Sequence, residues 1–244
     1  MDESARLDKA LVQRSFALSR ERAKDLIKGG AVLVNSVVIT DPAEKVHATD
    51  AISLTRQDIP WVARSALKLD YALTYFAIGV SGLSILDIGA STGGFTEVLL
   101  YHGAQKVMAL DVGHGQLHPR LKADTRVINM EGMHINELSK KDFPNTIDLI
   151  TVDVSFISVI KILDKIKELL PKKGKAVVLI KPQFEVGRVA INKGVVKDQK
   201  LHKKAVNSVL SYADKIGLSA TEVIASPIEG TDGNKEFLVV FTAQ

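Results

Sequence analysis

The chain from Trp61 onward alternates between two hydrophobic patterns, and this alternation restricts the fold more than any other feature of the sequence. Runs rich in β-branched residues predict strands over 84–89, 106–112, 126–131, 149–155, 175–181, 221–228 and 236–243, mostly separated by segments of helical periodicity. This pattern is typical of a parallel sheet covered by helices. The last two runs are only seven residues apart, too few for a parallel crossover, so the final strand must be antiparallel.

Six parallel strands and one antiparallel strand form the seven-stranded, Rossmann-like α/β sheet of class I methyltransferases, and nicotinamide-binding domains lack this last strand. Residues 1–58 predict a separate, small α+β unit in which two short helices precede β-branched runs at 31–35, 36–40 and 51–55. We therefore expect a first domain over 1–58, a linker over 59–64 and an α/β domain over 65–244.

Composition excludes several classes of protein. The 244 residues contain no cysteine, which excludes disulfides, thiolate metal sites and iron–sulfur clusters. The N-terminal sequence lacks the apolar run of a secretory signal, and no segment approaches the roughly 20 apolar residues of a membrane span. We expect a monomeric, cytoplasmic protein, and a net charge of +4 is compatible with an anionic partner.

A glycine-rich loop follows the first strand of the predicted sheet. It comprises Gly89, Ala90, Ser91, Thr92, Gly93, Gly94 and Phe95, at the sheet edge where doubly wound folds bind nucleotides. Asp111 ends the next strand, where an acid can accept hydrogen bonds from both ribose hydroxyls. This spacing suits NAD as well as S-adenosylmethionine. Ser91 in place of a second glycine, with Asp87 just before the loop, favours S-adenosylmethionine. The other expected cofactor-binding residues are Val112 and Glu131.

Four charged residues should meet at the same edge. Asp153 and Lys181 follow two parallel strands, Glu236 begins the antiparallel strand, and Lys68 begins the helix before the first strand. Buried charges of alternating sign are costly and are more often functional than stabilising. His114 and His118 are four residues apart, but no further ligand completes a set, so we expect no metal.

The first domain contains the segments LDKALV and SRERAKDLIKGGAVLVN, in which a basic helix ends in Gly-Gly before a V-x-V-N strand. These segments resemble the S4-type RNA-binding module, with Ser36 where that family usually has glycine. The resemblance implies that RNA phosphates are bound by basic and hydroxyl side chains. The candidates are Arg6, Arg14, Ser19, Arg20, Arg22, Lys24 and Lys28.

Seven ordered motifs in the second domain resemble the TlyA (hemolysin A) group of FtsJ-like ribosomal RNA methyltransferases. They are RSALKL, LDIGASTGGFTEVLL, DVGHGQL, VDVSFIS, IKPQFEVG, KGVVKD and SPIEGTDGNKEF. The resemblance implies S-adenosylmethionine-dependent methylation of ribose 2′-hydroxyls in ribosomal RNA or a ribosomal subunit. It also implies a catalytic tetrad of Lys68, Asp153, Lys181 and Glu236, with Lys181 as the candidate base. The sequence departs from the group at Ser65-Ala66 and in the segment after Glu131.

Other functions stay open at this point. A nicotinamide oxidoreductase could use the same glycine-rich loop, but it would have no need of the tetrad or the S4-type module. A membrane-lytic hemolysin would need amphipathic helices such as 157–170, whose position between strands predicts instead that they cover the sheet. A catalytically silent RNA-binding protein would share the fold without turnover.

Overall fold

The computed structural model describes residues 4–17, 20–55, 61–143, 146–187, 194–230 and 233–244. The chain forms two compact units, Met1–Pro60 and Trp61–Gln244. The division falls inside the linker expected over 59–64. Each unit has its own hydrophobic core. Ser19, one of the expected RNA-binding residues, lies outside the described residues.

The first unit contains two helices and small antiparallel sheets. Its elements are β1 (Ala5–Arg6), α1 (Leu7–Gln13), α2 (Arg20–Lys28), β2 (Val32–Val34), β3 (Val37–Ile39), β4 (Lys45–Val46) and β5 (Ile52–Leu54). Strands β3, β2 and β5 form one sheet in that order, and β1 pairs with β4. Apolar side chains of both helices, including Leu11 and Ile27, are buried with Val32 of the sheet.

The second unit is a layered α/β domain. Its elements are α3 (Ala66–Tyr75), β6 (Ser84–Ile88), α4 (Gly94–Tyr101), β7 (Lys106–Asp111), α5 (Pro119–Lys122), β8 (Val127–Glu131), β9 (Leu149–Val152), α6 (Ile160–Leu169), β10 (Lys175–Ile180), α7 (Pro182–Glu185), α8 (Gln199–Lys215), β11 (Leu218–Ala220), β12 (Ile224–Ala225) and β13 (Phe237–Ala243). The sheet order is β11, β13, β10, β9, β6, β7, β8, with β12 also paired to β13. The core cluster on one face includes α6 and α8, and the cluster on the other includes α3 and α4. The amphipathic segment 157–170 thus contributes buried side chains to the core.

The sixth parallel strand is interrupted, whereas the sequence predicted one strand over 221–228. Both β11 and β12 are antiparallel to β13, but their registers differ by one residue: Ala220 faces Phe241, and Ile224 faces Leu238. Between them, the Val240 N–H donates to Thr221 Oγ1 at 3.1 Å, so a side chain replaces a backbone acceptor in the ladder. This is a β-bulge, which periodicity does not reveal. The predicted strand directions are otherwise observed.

The sheet brings the ends of several strands to one edge. Strands β6, β7, β8, β9 and β10 are parallel, and β13 runs antiparallel beside β10. Because Ile180 pairs with Phe237, the residues next to them, Lys181 and Glu236, lie side by side at this edge. The register of Ile88 with Val152 likewise places the glycine-rich loop beside the end of β9.

The turn between β2 and β3 contains a strained residue. Asn35 and Ser36 have φ angles of 50° and 68°, which correspond to a type I′ turn. The Asn35 side chain donates to Asp50 Oδ1 at 2.9 Å and accepts from the Ala51 N–H at 3.0 Å. Because Ser36 is exposed, its side chain makes little stabilising contact to offset the cost of its left-handed backbone conformation.

We therefore predict that Ser36→Gly stabilises the first unit by about 0.5–1 kcal/mol, because glycine adopts this conformation without a Cβ penalty. Hydrogen–deuterium exchange of the β2–β3 hairpin at equilibrium provides the measurement, and slower exchange is expected. Asn35→Gly is the matched control and should speed exchange, since it removes both side-chain hydrogen bonds. Faster exchange in Ser36→Gly would contradict the assignment of strain to this turn.

Candidate active site

Four charged side chains form two ion pairs at the edge of the sheet. Lys68 Nζ lies 2.5 Å from Glu236 Oε2, and Lys181 Nζ lies 2.6 Å from Asp153 Oδ1. Lys181 Nζ also donates to Ser155 Oγ at 2.8 Å. Lys68, Lys181 and Glu236 are only 6%, 8% and 4% exposed. The structure therefore brings together all four residues that the sequence predicted at this edge.

Two buried acceptors near these pairs lack a well-aligned donor. Within the described residues, Asp153 Oδ1 and Gln183 Oε1 are the buried side-chain oxygen or nitrogen atoms without a hydrogen bond. The contact of Asp153 with Lys181 is thus an ion pair of poor hydrogen-bond geometry, despite the short distance. A buried polar group without a partner costs roughly 1–3 kcal/mol, so both atoms are well suited to accept hydrogen bonds from a bound molecule.

The edge contains two adjoining cavities. The charged lobe, of about 480 Å³, is lined by the four tetrad residues together with Arg64, Gln183 and Phe184. The apolar lobe, of about 380 Å³, is lined by Leu110, Asp111, Val112, Met133 and Ile135. The residues that line both lobes are Gly89, Ser91, Asp153, Ser155 and Phe156.

The glycine-rich loop is packed too closely for larger residues. Gly89 has a φ angle of +83°, and a Cβ atom there would lie 2.5 Å from the Asp153 carbonyl oxygen. Gly94 begins α4, and a Cβ atom on it would lie 2.3 Å from Ser65 Oγ. The loop is therefore in direct contact with the end of β9 and with the segment before α3. Of the other predicted loop residues, Ala90, Ser91, Thr92 and Phe95 line the charged lobe, whereas Gly93, with a φ angle of +99°, packs against Leu121.

Asp111 is fixed at the end of the apolar lobe. Its Oδ2 accepts from the Ser91 N–H and its Oδ1 from the Gly113 N–H, both at 2.8 Å. Each carboxylate oxygen keeps a second lone pair for a ligand. Val112 beside it is 65% exposed, and with Met133 it forms an apolar wall. This arrangement can hold a flat ring with a neighbouring diol.

Asp87 and Glu131 have structural partners and do not line either lobe. Asp87 is fully buried and accepts from Thr96 Oγ1 at 2.7 Å and Thr151 Oγ1 at 2.8 Å. Burial raises the pKa of Asp87 to about 6, although the two hydroxyls act in the opposite direction. Glu131 accepts from Lys122 Nζ at 2.7 Å and from backbone N–H groups of the 116–117 segment, and Lys122 holds its pKa well below the usual range.

Sequence reasoning missed two contributors to the lobes. Met133, His134 and Ile135 come from the segment after Glu131, where the sequence departs from the group that it resembles. Phe156 lies in the VDVSFIS motif, is 89% exposed and has a φ angle of +67°. A bulky residue in this conformation is strained, and such strain is concentrated at functional sites. The VDVSFIS motif indicated that this segment belongs to the site, but it did not predict the backbone conformation of Phe156.

In the first unit, several of the predicted RNA-binding residues have structural partners, among them Arg6, Arg14, Arg20 and Arg22. Arg6 and Arg20 form ion pairs with the buried Asp8 at 3.2 Å and 2.8 Å, and chiefly the Arg6 hydrogen bonds lower the Asp8 pKa to about 2. Arg14 donates to the backbone oxygens of His47 and Asp50 at 2.7 Å and 2.8 Å. Arg22 and Lys24 are half-buried on α2, and Lys28 is exposed at its end.

The described part of the chain contains no group of three or more histidine or carboxylate side chains that could hold a metal ion. Among the helices described, none combines the length and apolar character needed to cross a membrane.

Two families match the chain. Residues 61–243 match the FtsJ-like methyltransferase family, and residues 5–52 match the S4 domain family. Hemolysin A of Brachyspira hyodysenteriae is 42% identical over 238 residues, which cover 97% of this chain and 99% of that protein. The 16S/23S rRNA (cytidine-2′-O)-methyltransferase TlyA of Mycobacterium tuberculosis is 40% identical over 246 residues, covering 100% of this chain and 92% of that protein.

Solved structures are also similar. A hemolysin candidate from Streptococcus thermophilus has 36% identity and a TM-score of 0.79, and the match covers 100% of this chain and 90% of that one. An S-adenosylmethionine-dependent methyltransferase from Mesorhizobium loti has a TM-score of 0.52 at 18% identity, covering 70% of this chain and 96% of that one. This second likeness concerns the fold alone.

The raised pKa of Asp87 generates a prediction about stability. Its folded pKa of about 6 exceeds the ordinary value of 3.8, so the folded state binds the proton more tightly, and the free energy of unfolding should fall as pH rises through 4 to 6. Asp87→Asn removes this titration. The stability of the variant relative to wild type should therefore rise between pH 4 and pH 7.5, by on the order of 1–3 kcal/mol.

Urea unfolding at both pH values measures this difference. Asp142→Asn is the matched control, because hydrogen bonds from Ser139 lower the Asp142 pKa and the variant should lose relative stability as pH rises. If the Asp87→Asn difference is the same at both pH values, Asp87 does not carry the pH dependence.

Proposed function

The chain belongs to the FtsJ-like methyltransferase family, and on that premise we propose that it transfers a methyl group from S-adenosylmethionine to a cytidine ribose 2′-hydroxyl in ribosomal RNA. The observation that carries this proposal is the pair of buried ion pairs, Lys68–Glu236 and Lys181–Asp153, beside a cavity formed by the glycine-rich loop. The S4 domain match in the first unit supports an RNA substrate. A methyltransferase family match does not support the nicotinamide oxidoreductase alternative.

The apolar lobe suits S-adenosylmethionine. Val112, Met133 and Ile135 offer apolar surface for an adenine ring, and the free lone pairs of Asp111 suit the ribose hydroxyls. The backbone of the glycine-rich loop, Gly89–Gly94, would hold the amino-acid end. Asp87 and Glu131 would contribute indirectly, because they hold the loop and the 116–117 segment in place. When bound, S-adenosylmethionine supplies a methyl group on a positively charged sulfur, which an oxygen nucleophile can displace in line.

We propose that Lys181 takes the proton of the ribose hydroxyl. A neutral amine has two hydrogens and one lone pair. Ser155 Oγ accepts one hydrogen from Lys181 Nζ at 2.8 Å, and Asp153 Oδ1 lies 2.6 Å from the same nitrogen as an ion-pair partner of poor hydrogen-bond geometry. These two contacts would hold the amine in place while its lone pair takes the proton. Proton removal as the O–C bond forms then makes the hydroxyl a competent nucleophile. We propose that the Lys68–Glu236 pair holds the ribose against this amine.

Aromatic and amide groups around the charged lobe suit a nucleotide. The exposed Phe156 ring lies 5.5 Å from the Phe184 ring, measured between centroids. A base displaced from its stack can pack on such a surface. Gln183 Oε1, buried without a donor, can accept from an amino group. In the first unit, Lys24 and Lys28 are proposed to contact phosphates, and Arg6, Arg14 and Arg20 chiefly support the fold. Arg22, which also has a partner within the protein, stays a candidate. Ser19 stays a candidate, and the cytoplasmic location and monomeric state stay predictions.

If Lys181 is the base, Lys181→Ala should lose roughly 100- to 10,000-fold in single-turnover methyl transfer while affinity for S-adenosylhomocysteine is unchanged. Lys181→Arg should be nearly as inactive, since a guanidinium does not release its proton near neutral pH. Transfer of a radiolabelled methyl group to ribosomal RNA measures the rate, and resistance to alkaline cleavage identifies the 2′-oxygen.

Lys175→Ala is the matched control: Lys175 begins the strand that Lys181 follows, is exposed, and lies at the opposite edge of the sheet. It should retain the wild-type rate. If Lys181→Arg keeps a large share of that rate, Lys181 is not the base and another group must take the proton. Wild-type protein that leaves every ribose unmethylated would refute the proposed function itself.

A second prediction concerns Asp111. Asp111→Ala should weaken the binding of S-adenosylhomocysteine by about 1–3 kcal/mol, the scale of a hydrogen bond to a charged group. Isothermal titration calorimetry gives the affinity, and thermal melting reports any damage from the freed Ser91 and Gly113 N–H groups. Asp111→Asn keeps one oxygen acceptor and should show a smaller loss. Wild-type affinity in the alanine variant would exclude Asp111 as a ribose ligand.

A further inference from the structure

The net positive charge of the protein arises in the second unit. Residues 1–60 contain nine basic and nine acidic residues, whereas residues 61–244 contain 23 basic and 19 acidic residues. The tetrad itself is neutral, because it consists of two lysines and two acids. The excess charge therefore lies outside the catalytic group, and part of it is concentrated on α8.

One face of α8 carries a continuous row of hydrogen-bond donors, here named the donor stripe. Its members are all exposed and follow the spacing of a single helical face: Lys200, Lys203, Lys204, Asn207, Ser208 and Ser211. The opposite face is buried through His202, Ala205, Val209 and Ala213. The donor stripe spans twelve residues, or about 16 Å from its first to its last residue, and contains no carboxylate.

The lysines of the donor stripe are not held by carboxylates of the described residues. Lys200, Lys203 and Lys204 form no ion pair with any residue in the described ranges. Lys200 lies in the first turn of α8, where the helix dipole disfavours positive charge, and Lys203 and Lys204 lie in the second turn. Asp198, the acidic residue nearest in sequence, is engaged as the N-cap and accepts from the Lys200 N–H at 2.8 Å. A cluster of three unpaired lysines on one helix face is suited to an anionic partner.

The donor stripe begins at the same sheet edge as the charged lobe. Helix α7, which follows Lys181 directly and supplies Gln183 and Phe184 to the lobe, packs against α8. The His202 ring of α8 lies 5.8 Å from the Phe237 ring, measured between centroids, and Phe237 adjoins Glu236. The first turns of α8 are thus neighbours of the tetrad, and the stripe extends from there toward the opposite edge.

We propose that the donor stripe binds the phosphodiester backbone of the substrate RNA beside the target nucleotide. This inference rests on the proposed function. Lysine supplies charge, while Asn207 and Ser211 supply neutral donors of the kind that phosphate oxygens commonly accept from. The Ser208 hydroxyl donates to the Lys204 carbonyl oxygen at 2.9 Å and can accept but not donate while this bond is kept. The stripe lacks the exposed apolar or aromatic residues with which a helix inserts into a membrane surface, so RNA is the anionic partner that fits it.

The test compares two variants with the same change in charge. The stripe variant carries Lys200→Gln, Lys203→Gln and Lys204→Gln. The control variant carries Lys172→Gln, Lys173→Gln and Lys175→Gln, three exposed lysines at the opposite edge of the sheet. Binding of a ribosomal RNA fragment is measured between 50 and 300 mM salt, together with binding of S-adenosylhomocysteine and thermal melting.

The stripe variant should bind the RNA fragment about tenfold or more weakly at low salt, and its log–log salt slope should be smaller in magnitude by about 2 to 3, one phosphate contact for each lysine. Its affinity for S-adenosylhomocysteine and its rate at saturating RNA should match wild type, so KM changes and kcat does not. The control variant should keep the wild-type slope.

Unchanged RNA affinity and slope in the stripe variant would overturn the inference, as would an equal loss in the control variant. Loss of binding to anionic phosphatidylglycerol vesicles with unchanged RNA binding would also overturn it, since the stripe would then serve a lipid surface. These outcomes are separate from failure of the proposed function, in which wild-type protein binds RNA and methylates no ribose.

Discussion

Two lysine side chains can be buried at the edge of this sheet because each faces a carboxylate within 2.6 Å. A buried charge that loses its partner costs roughly 3–5 kcal/mol, so the backbone must hold both pairs in register. The parallel pairing of β10 with β9 brings Lys181 and Asp153 to the same edge, because each residue directly follows its strand. The antiparallel pairing of β13 with β10 brings Glu236 to this edge as well, where it meets Lys68 of α3. The order of strands in the sheet is therefore also a requirement of the site.

Much of this arrangement was predictable from sequence. Parallel strands share a carboxyl edge, so Asp153 and Lys181 could be placed there from periodicity alone. The short connection before β13 fixed its direction and brought Glu236 to the same edge. The glycine-rich loop was recognisable because close backbone contacts require glycine. A Cβ atom at position 89 would lie 2.5 Å from the Asp153 carbonyl oxygen, too close for any residue with a side chain unless the backbone shifts.

The structural features that could not be predicted depend on which hydrogen-bond or ion-pair partner each side chain has in the folded protein. The sequence pattern around a basic residue on a helix is the same whether its side chain faces solvent or a buried acid. The neighbouring residues in the sequence therefore do not show that Arg20 forms an ion pair with Asp8, or that Arg14 donates to backbone carbonyls of a distant loop. The bulge at Thr221 arises because a hydroxyl competes with a backbone acceptor, which leaves hydrophobic periodicity unchanged. The exposure of Phe156 follows from one backbone angle, for which apolar sequence gives no signal.

The charged and apolar lobes adjoin and share five lining residues. With the two proposed substrates in neighbouring lobes, the methyl group has only a short distance to travel, and the chain has no cysteine with which to carry it as a covalent intermediate. Direct transfer between neighbouring sites requires both substrates to be bound before either product forms. The proposed function therefore predicts a sequential kinetic order with inversion at the transferred carbon.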